Sequence, residues 1–329
     1  MCNKLFLIGL ITLLCLTGCD RSKTSTSRET ASQEAFVDQI VITETNIQQE
    51  ASALQSTFLP AQPTFLSPEA SGTTTECNDK AIIDYSHTDE GYVMVQYTGS
   101  TQSKLKAQVK GPDTTYTYNI KVKEWTVFPL SDGNGDYQIK VFENISGNRY
   151  ALILSVTTNV ELKNEFAPFL YPNQYVNFEN ATQTIATAAS LTQNKTDLLS
   201  KVESVYNYVV DNISYDTQKA TTVKSGYLPD LDHVLSTQKG ICFDYASLMT
   251  GMLRSQGIPC KLVIGYAGSA YHAWISVWSE ETGWVDGAVF FNGTTWQRMD
   301  PTFASTSNSD SSIMEFIGDG TNYTEKYIY

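Results

Sequence analysis

Three residues in this chain have the types and local settings of a thiol-based acyl-transfer centre. Cys242 lies in Gly240-Ile241-Cys242-Phe243-Asp244-Tyr245-Ala246, His272 in Tyr271-His272-Ala273-Trp274, and Asp300 in Met299-Asp300-Pro301-Thr302. A thiolate attacks a carbonyl carbon, an imidazole takes and returns the proton, and a carboxylate holds the imidazole in one tautomer. Each residue alone also has a plainer account: a small buried cysteine, a core histidine, a strand-end aspartate.

The elements around them decide how much chemistry is available. After Cys242, Tyr245, Leu248, Met249, Met252 and Leu253 recur at the spacing of one buried helical face, and Gly257 and Pro259 stop the helix. Gly240 supplies a tight turn just before it. Cys242 therefore falls in the first turn, where free N–H groups and the positive end of the helix dipole favour a thiolate and can hold an oxyanion. Cys260 to Tyr266 reads as a buried strand and Tyr271 to Trp278 as the next, with Gly268-Ser269 as the turn between them. Alternation puts His272 on the face of Trp274, Ser276 and Trp278. Two carboxylates compete to orient His272. Asp286 sits in a Val-Asp-Gly turn within an expected hairpin over residues 282–294. Asp300 follows an expected strand over residues 295–299, and a strand end beside the histidine strand favours it.

These motifs together resemble the transglutaminase-like superfamily of papain-fold enzymes. The resemblance runs from about Leu198 to Phe303, roughly a third of the chain. It is carried by Tyr206-Asn207-Tyr208-Val209, Ile213-Ser214-Tyr215-Asp216, the Gly240 to Ala246 stretch, Gly257-Ile258-Pro259, Gly265-Tyr266, His272-Ala273-Trp274, Trp296 and Asp300-Pro301-Thr302, in that order. It implies Cys242 as nucleophile, His272 as general base and acid, and Asp300 as orienter, with no cofactor and no metal. The interval between His272 and Asp300 is longer than the family pattern implies, which keeps Asp286 open. Family members often place an aromatic or amide side chain in the oxyanion hole. Tyr227 and Gln238 are both candidates here.

The remaining sequence gives the setting. The chain has 329 residues and a formal net charge of −13, which argues against a nucleic-acid backbone as partner. Residues 1–19 read as a secretory signal, with Lys4 before an apolar run ending in Leu16-Thr17-Gly18-Cys19. That ending resembles the bacterial lipobox and implies a lipidated Cys19, an extracytoplasmic position and a membrane anchor. Residues 20–76 are rich in Ser, Thr, Gln, Ala and Glu and read as a flexible tether. From 77 to 163, period-two runs such as Leu105-Ala107-Val109 and Tyr137-Ile139-Val141 alternate with turns. Six or seven short strands of this kind predict an antiparallel, immunoglobulin-like sandwich. Asn164 to Asn180 reads as an aromatic-rich extended bridge, followed by helices over 182–191 and 198–210 and a loop over 217–230. His87 reads as a surface histidine and His233 as a helix-end one. Cys77 and Cys260 read as structural thiols, with a bridge between them an open option.

The expected fold class is α+β: an all-β immunoglobulin-like sandwich before a papain/transglutaminase-like core of helices and antiparallel sheet over residues 164–329. The expected function is acyl transfer or hydrolysis of amide bonds through a thioester, by a monomer acting on a protein, peptide or peptidoglycan-peptide substrate. The rival reading is an inactive surface module that binds a protein or glycan.

Overall fold

The structure, a computed structural model, describes residues 65–279, 283–286, 289–291, 296–298, 302 and 322–329, all within one compact unit, Pro63–Tyr329. Asp300 and Cys19 lie outside the described residues.

The first part is built from strands β1 (Thr75–Cys77), β2 (Ala81–Asp84), β3 (Tyr92–Tyr97), β4 (Leu105–Lys110), β5 (Thr115–Ile120), β6 (Trp125–Pro129), β7 (Gly135–Ser146) and β8 (Arg149–Val160). They form two four-stranded antiparallel sheets, ordered β1-β2-β3-β6 and β5-β4-β7-β8. The alternation seen in the sequence is the alternation of burial: Leu105, Ala107 and Val109 are buried, and so are Tyr116, Tyr118 and Ile120 on the partner strand. Tyr118 meets Phe128 of the opposite sheet, ring centroids 4.4 Å apart. Residues 65–76, which the sequence places at the end of the tether, run along this fold. Phe65 packs on Phe178 and the Gly72 N–H donates to the buried carboxylate of Asp84 at 2.7 Å.

The bridge buries its aromatic residues in sequence. Phe166 packs on Trp278, Tyr171 on Tyr92, and Tyr175 on both Tyr118 and Tyr329. Helices α1 (Thr182–Thr192) and α2 (Leu198–Asn212) follow as the periodicity predicts. Next come β9 (Ser214–Tyr215), a short α3 (Thr217–Thr222), α4 (Leu231–Thr237), β10 (Lys239–Gly240) and α5 (Cys242–Arg254). The stretch expected as a loop thus begins with one helical turn, capped by Asp216, whose carboxylate accepts from the Lys219 N–H at 2.8 Å.

Helix α5 is the centre of the core. Tyr245, Leu248, Met249, Met252 and Leu253 are fully buried, as the spacing requires. The opposite face is buried too, because Ala246, Ser247, Thr250 and Gly251 are small enough for α1, α2 and α4 to lie against it. A Cβ on Gly251 would come within 2.6 Å of Leu231. At the end of α5 the buried Arg254 guanidinium donates to the backbone oxygens of Tyr171, Cys260 and Tyr329, tying the bridge, β11 and the chain just beyond β16 to the helix.

The core sheet has the order β13-β12-β11-β16, from β11 (Cys260–Ala267), β12 (Ala270–Ser279), β13 (Gly283–Asp286) and β16 (Tyr323–Ile328). A separate pair joins β14 (Val289–Phe291) to β15 (Trp296–Arg298). Among the described residues of the expected 282–294 hairpin, β13 pairs with β12 and β14 with β15, not with each other. Cys242 and Cys260 are free thiols while Cys77 is disulfide-bonded, so no bridge joins Cys77 to Cys260.

Gly265 sits where β11 meets both neighbours. A Cβ there would lie 2.0 Å from the Thr324 carbonyl oxygen and 2.8 Å from the Trp274 ring. Gly265→Ala should cost about 1–3 kcal/mol, read as a lower urea midpoint. Burial also raises Cys260, Tyr92 and Tyr175 to about 12, from ordinary values of 9.0 and 10.0. Above the ordinary values the unfolded chain has shed these protons and the folded one has not. The unfolded state then binds fewer protons, so stability falls as pH rises towards 12. Urea midpoints measured from pH 8 to 12 should decline steadily.

Candidate active site

The carboxylate of Asp244, the third residue of α5, sets the geometry of the helix start. Ile241 precedes the helix in extended backbone and has no side chain able to cap it. The Asp244 carboxylate reaches back instead and accepts the Ile241 N–H at 2.8 Å. It also accepts from Lys219 Nζ and from the Tyr227 hydroxyl, each at 2.6 Å. Asp244 is fully buried, and a buried carboxylate is tolerated only with such partners. Gly240 is required for the same reason: a Cβ on it would lie 2.6 Å from the Asp244 Cβ.

Upstream, β10 pairs in parallel with β9, Gly240 opposite Tyr215. The Asp216 N–H donates to the Gly240 carbonyl at 2.8 Å, and the Tyr245 hydroxyl donates to the Ile213 carbonyl. These bonds explain the Ile213-Ser214-Tyr215-Asp216 motif. It is the strand that registers the chain just before Cys242.

Cys242 is the first residue of α5 and is partly exposed. The helix offers no acceptor for its first N–H groups, so they and the dipole's positive end are free to act on whatever meets the sulfur. Burial first, and the neighbouring Cys242 after it, raise the Tyr215 phenol above its ordinary value. Tyr271 is raised by burial, by Tyr327 and Tyr266, and then by Cys242. Both phenols therefore stay protonated at neutral pH and remain donors.

His272 is buried, on β12, which packs along α5. Its ring lies 6.3 Å from Trp274 and 6.4 Å from Tyr323 between centroids. The face predicted by alternation is correct, and the neighbourhood is dry. Cys242 and His272 line one cleft of about 540 Å³. Aromatic residues dominate its walls: Tyr215, Tyr227, Phe243, Tyr271 and Tyr327. Thr117 of the sandwich also faces it, so the first part of the chain contributes to the cleft.

The two oxyanion candidates separate. Gln238 is exposed, ends α4 in left-handed backbone with φ of 54°, and does not line the cleft. Tyr227 lines it, but its hydroxyl is committed to Asp244. Burial and then that bond raise this phenol far above the ordinary tyrosine range. Gln238 lies away from the cleft and the Tyr227 hydroxyl is committed, so the N–H groups at the start of α5 are the donors best situated for an oxyanion.

The orienting carboxylates separate as well. Asp286 lies opposite Ser276 on β12. That is four residues along the strand from His272, roughly 13 Å at the usual strand rise, further than an aspartate and an imidazole span. Among the described residues, the strand before Asp300 pairs with β14 and not, as the sequence suggested, with β12. The other histidines lie elsewhere. His233 is exposed on α4, its N–H donating to Asp230. His87, expected at the surface, is half-buried, stacks on Tyr92 and lies 3.5 Å from Glu90. Among the described residues no group of three or more His, Cys, Asp or Glu side chains is placed to hold a metal ion.

Residues 185–301 match the family profile described as the transglutaminase-like superfamily. An uncharacterized protein of Bacillus subtilis, YebA, is 25% identical over 210 residues, covering 56% of this chain and 27% of its own length. A protein-glutamine gamma-glutamyltransferase of Pseudomonas aeruginosa is 34% identical over 68 residues, 16% of this chain and 10% of that protein. The chain thus spans well under half of the curated relatives it matches. The periplasmic domain of TgpA from Pseudomonas aeruginosa aligns with 78% of this chain and 80% of its own, at 18% identity and a TM-score of 0.34.

The two free thiols should behave oppositely. In the native protein at pH 7 to 9, iodoacetamide should label Cys242 and leave Cys260 unmodified until denaturant is added. Cys260 is fully buried, with its thiol pushed up to about 12. Peptide mapping by mass spectrometry reads both sites.

Proposed function

We propose that this protein, whose residues 185–301 match the transglutaminase-like superfamily profile, is a cysteine-nucleophile enzyme acting on carboxamide or peptide bonds. The observation that carries the reading is the single aromatic cleft lined by both Cys242, at a helix start, and His272, on the strand packed along that helix. The catalytic set is Cys242, His272 and Asp300.

His272 takes the Cys242 proton as the sulfur attacks the carbonyl carbon. A carbon–sulfur bond forms and the carbonyl oxygen becomes an oxyanion held by the first N–H groups of α5. The protonated imidazole then gives its proton to the departing nitrogen, the carbon–nitrogen bond breaks, and ammonia or an amine leaves a thioester. Water or a second amine attacks that thioester, with His272 again taking the proton, and the thiolate departs. Water as acceptor gives hydrolysis; an amine gives transfer. Asp300 keeps the imidazole in the tautomer that both steps need.

We place the enzyme outside the cytoplasm, lipid-anchored through Cys19 on a bacterial membrane, with protein, peptide or peptidoglycan-peptide amides as substrates. The lipobox-like end of the signal supports the anchor. No helix among the described residues is long and apolar enough to cross a membrane.

Purified protein given a glutamine peptide should release ammonia, and a labelled amine should enter the peptide if transfer operates. Cys242→Ala should abolish both signals. Asp300→Asn should lower kcat/KM on the order of a hundredfold or more, while Asp286→Asn stays within about twofold of wild type. A fully folded wild type that turns over no peptide, and whose Cys242 reacts no faster than free cysteine, returns the protein to the binding-module reading.

A further inference from the structure

Resting on the reading of Cys242 as nucleophile, we propose that Lys219 is a positioning residue for it: the Lys219 ammonium neutralises the buried Asp244 carboxylate, so that the Cys242 thiolate forms beside a charge-balanced helix start. The Asp244 carboxylate fixes the start of α5 by accepting the Ile241 N–H. The cap brings a negative charge into the same helical turn as the reacting sulfur. A second anion there would oppose the thiolate and offset the help given by the dipole. Lys219 Nζ lies 2.6 Å from Asp244 Oδ2 and its side chain is only 23% exposed, so solvent screens this pair weakly. Tyr227 completes the arrangement by donating to the other oxygen, Oδ1.

Lys219 is held for this task from two sides. Asp216 caps its short helix, and the Asp216 N–H is bonded to Gly240, two residues before Cys242. The ammonium also lies 4.2 Å from the centre of the Tyr227 ring. Lys219 and Tyr227 bound the segment that forms one wall of the cleft, including Ala220, Val223, Lys224 and Gly226. One buried carboxylate therefore joins that wall to the nucleophile's helix. Among the described residues, the other titratable groups lining the cleft with Cys242 are His272 and Tyr271 from β12, Tyr215 from β9, Tyr327 from β16, Tyr329 just beyond it, Tyr175 from the bridge and Lys224. Asp230 adds its charge to the environment of Tyr227. None of these bonds directly to Asp244 in place of Lys219.

The test is the pH dependence of Cys242 alkylation by iodoacetamide, read at that residue by mass spectrometry on the intact protein. Lys219→Met should move the midpoint up by about one pH unit and Asp244→Asn should move it down by a similar amount. Asparagine still offers an oxygen to the Ile241 N–H. The double variant should return to the wild-type midpoint, and Lys219→Arg should keep it. Unchanged midpoints in folded Lys219→Met and Asp244→Asn would overturn the proposal. Should Asp244→Asn not fold, Lys219→Met against Lys219→Arg decides it alone. A wild-type Cys242 no more reactive than free cysteine would instead overturn the nucleophile itself, a separate outcome.

Discussion

A helix buried on every side still has to begin somewhere, and its first turn carries N–H groups that no residue of the helix can satisfy. In this protein the carboxylate of Asp244 takes the N–H of Ile241, and two neighbouring side chains take up the rest of that carboxylate. The rest of the site depends on this arrangement. It fixes the turn at Gly240, next to the cleft that Cys242 lines, and ties the 217–227 segment to the nucleophile's helix. Losing one partner of a buried ion pair of this kind typically costs about 3–5 kcal/mol, so the helix start and the cleft wall are coupled through one side chain.

The burial of α5 shapes everything beyond it. One face is large and apolar, the other is small, and the small face lets three helices approach closely. At its far end Arg254 uses a buried guanidinium to hold three backbone oxygens from the bridge, β11 and the chain beyond β16. The helix is thus fixed at both ends by charged groups and along its length by packing. That rigidity is what a site needs if sulfur, imidazole and oxyanion donors are to keep their relative positions.

The sandwich does more than precede this core. One hydrophobic cluster runs through both parts, and the tyrosines of β5 meet Tyr175, Tyr327 and Tyr329 in tilted or edge-on contacts. Because Thr117 of that strand faces the cleft, the two parts share a wall of the site. The aromatic residues of the cleft come from the bridge and the core, Tyr175, Tyr215, Tyr227, Phe243, Tyr271, Tyr327 and Tyr329, and the sandwich adds Thr117.

Much of this was legible in the residues themselves. Period-two runs located the strands of the sandwich. The spacing of Tyr245, Leu248, Met249, Met252 and Leu253 located α5, and alternation put His272 on the face of Trp274. These are local patterns, and local backbone geometry converts them directly into structure. Other features depended on contacts between distant segments. The sequence carried no mark that the small residues of α5 were also buried, that Asp286 would be registered opposite Ser276, or that β15 would pair with β14. The role of Asp244 was equally hidden, since its partners Lys219 and Tyr227 come from a stretch that reads as a loop. A thiol at a helix start is determined by the sequence from Gly240 to Ala246. Which charges surround it is decided only when the 217–227 segment folds back, because electrostatic partners are set by distance in space and not along the chain.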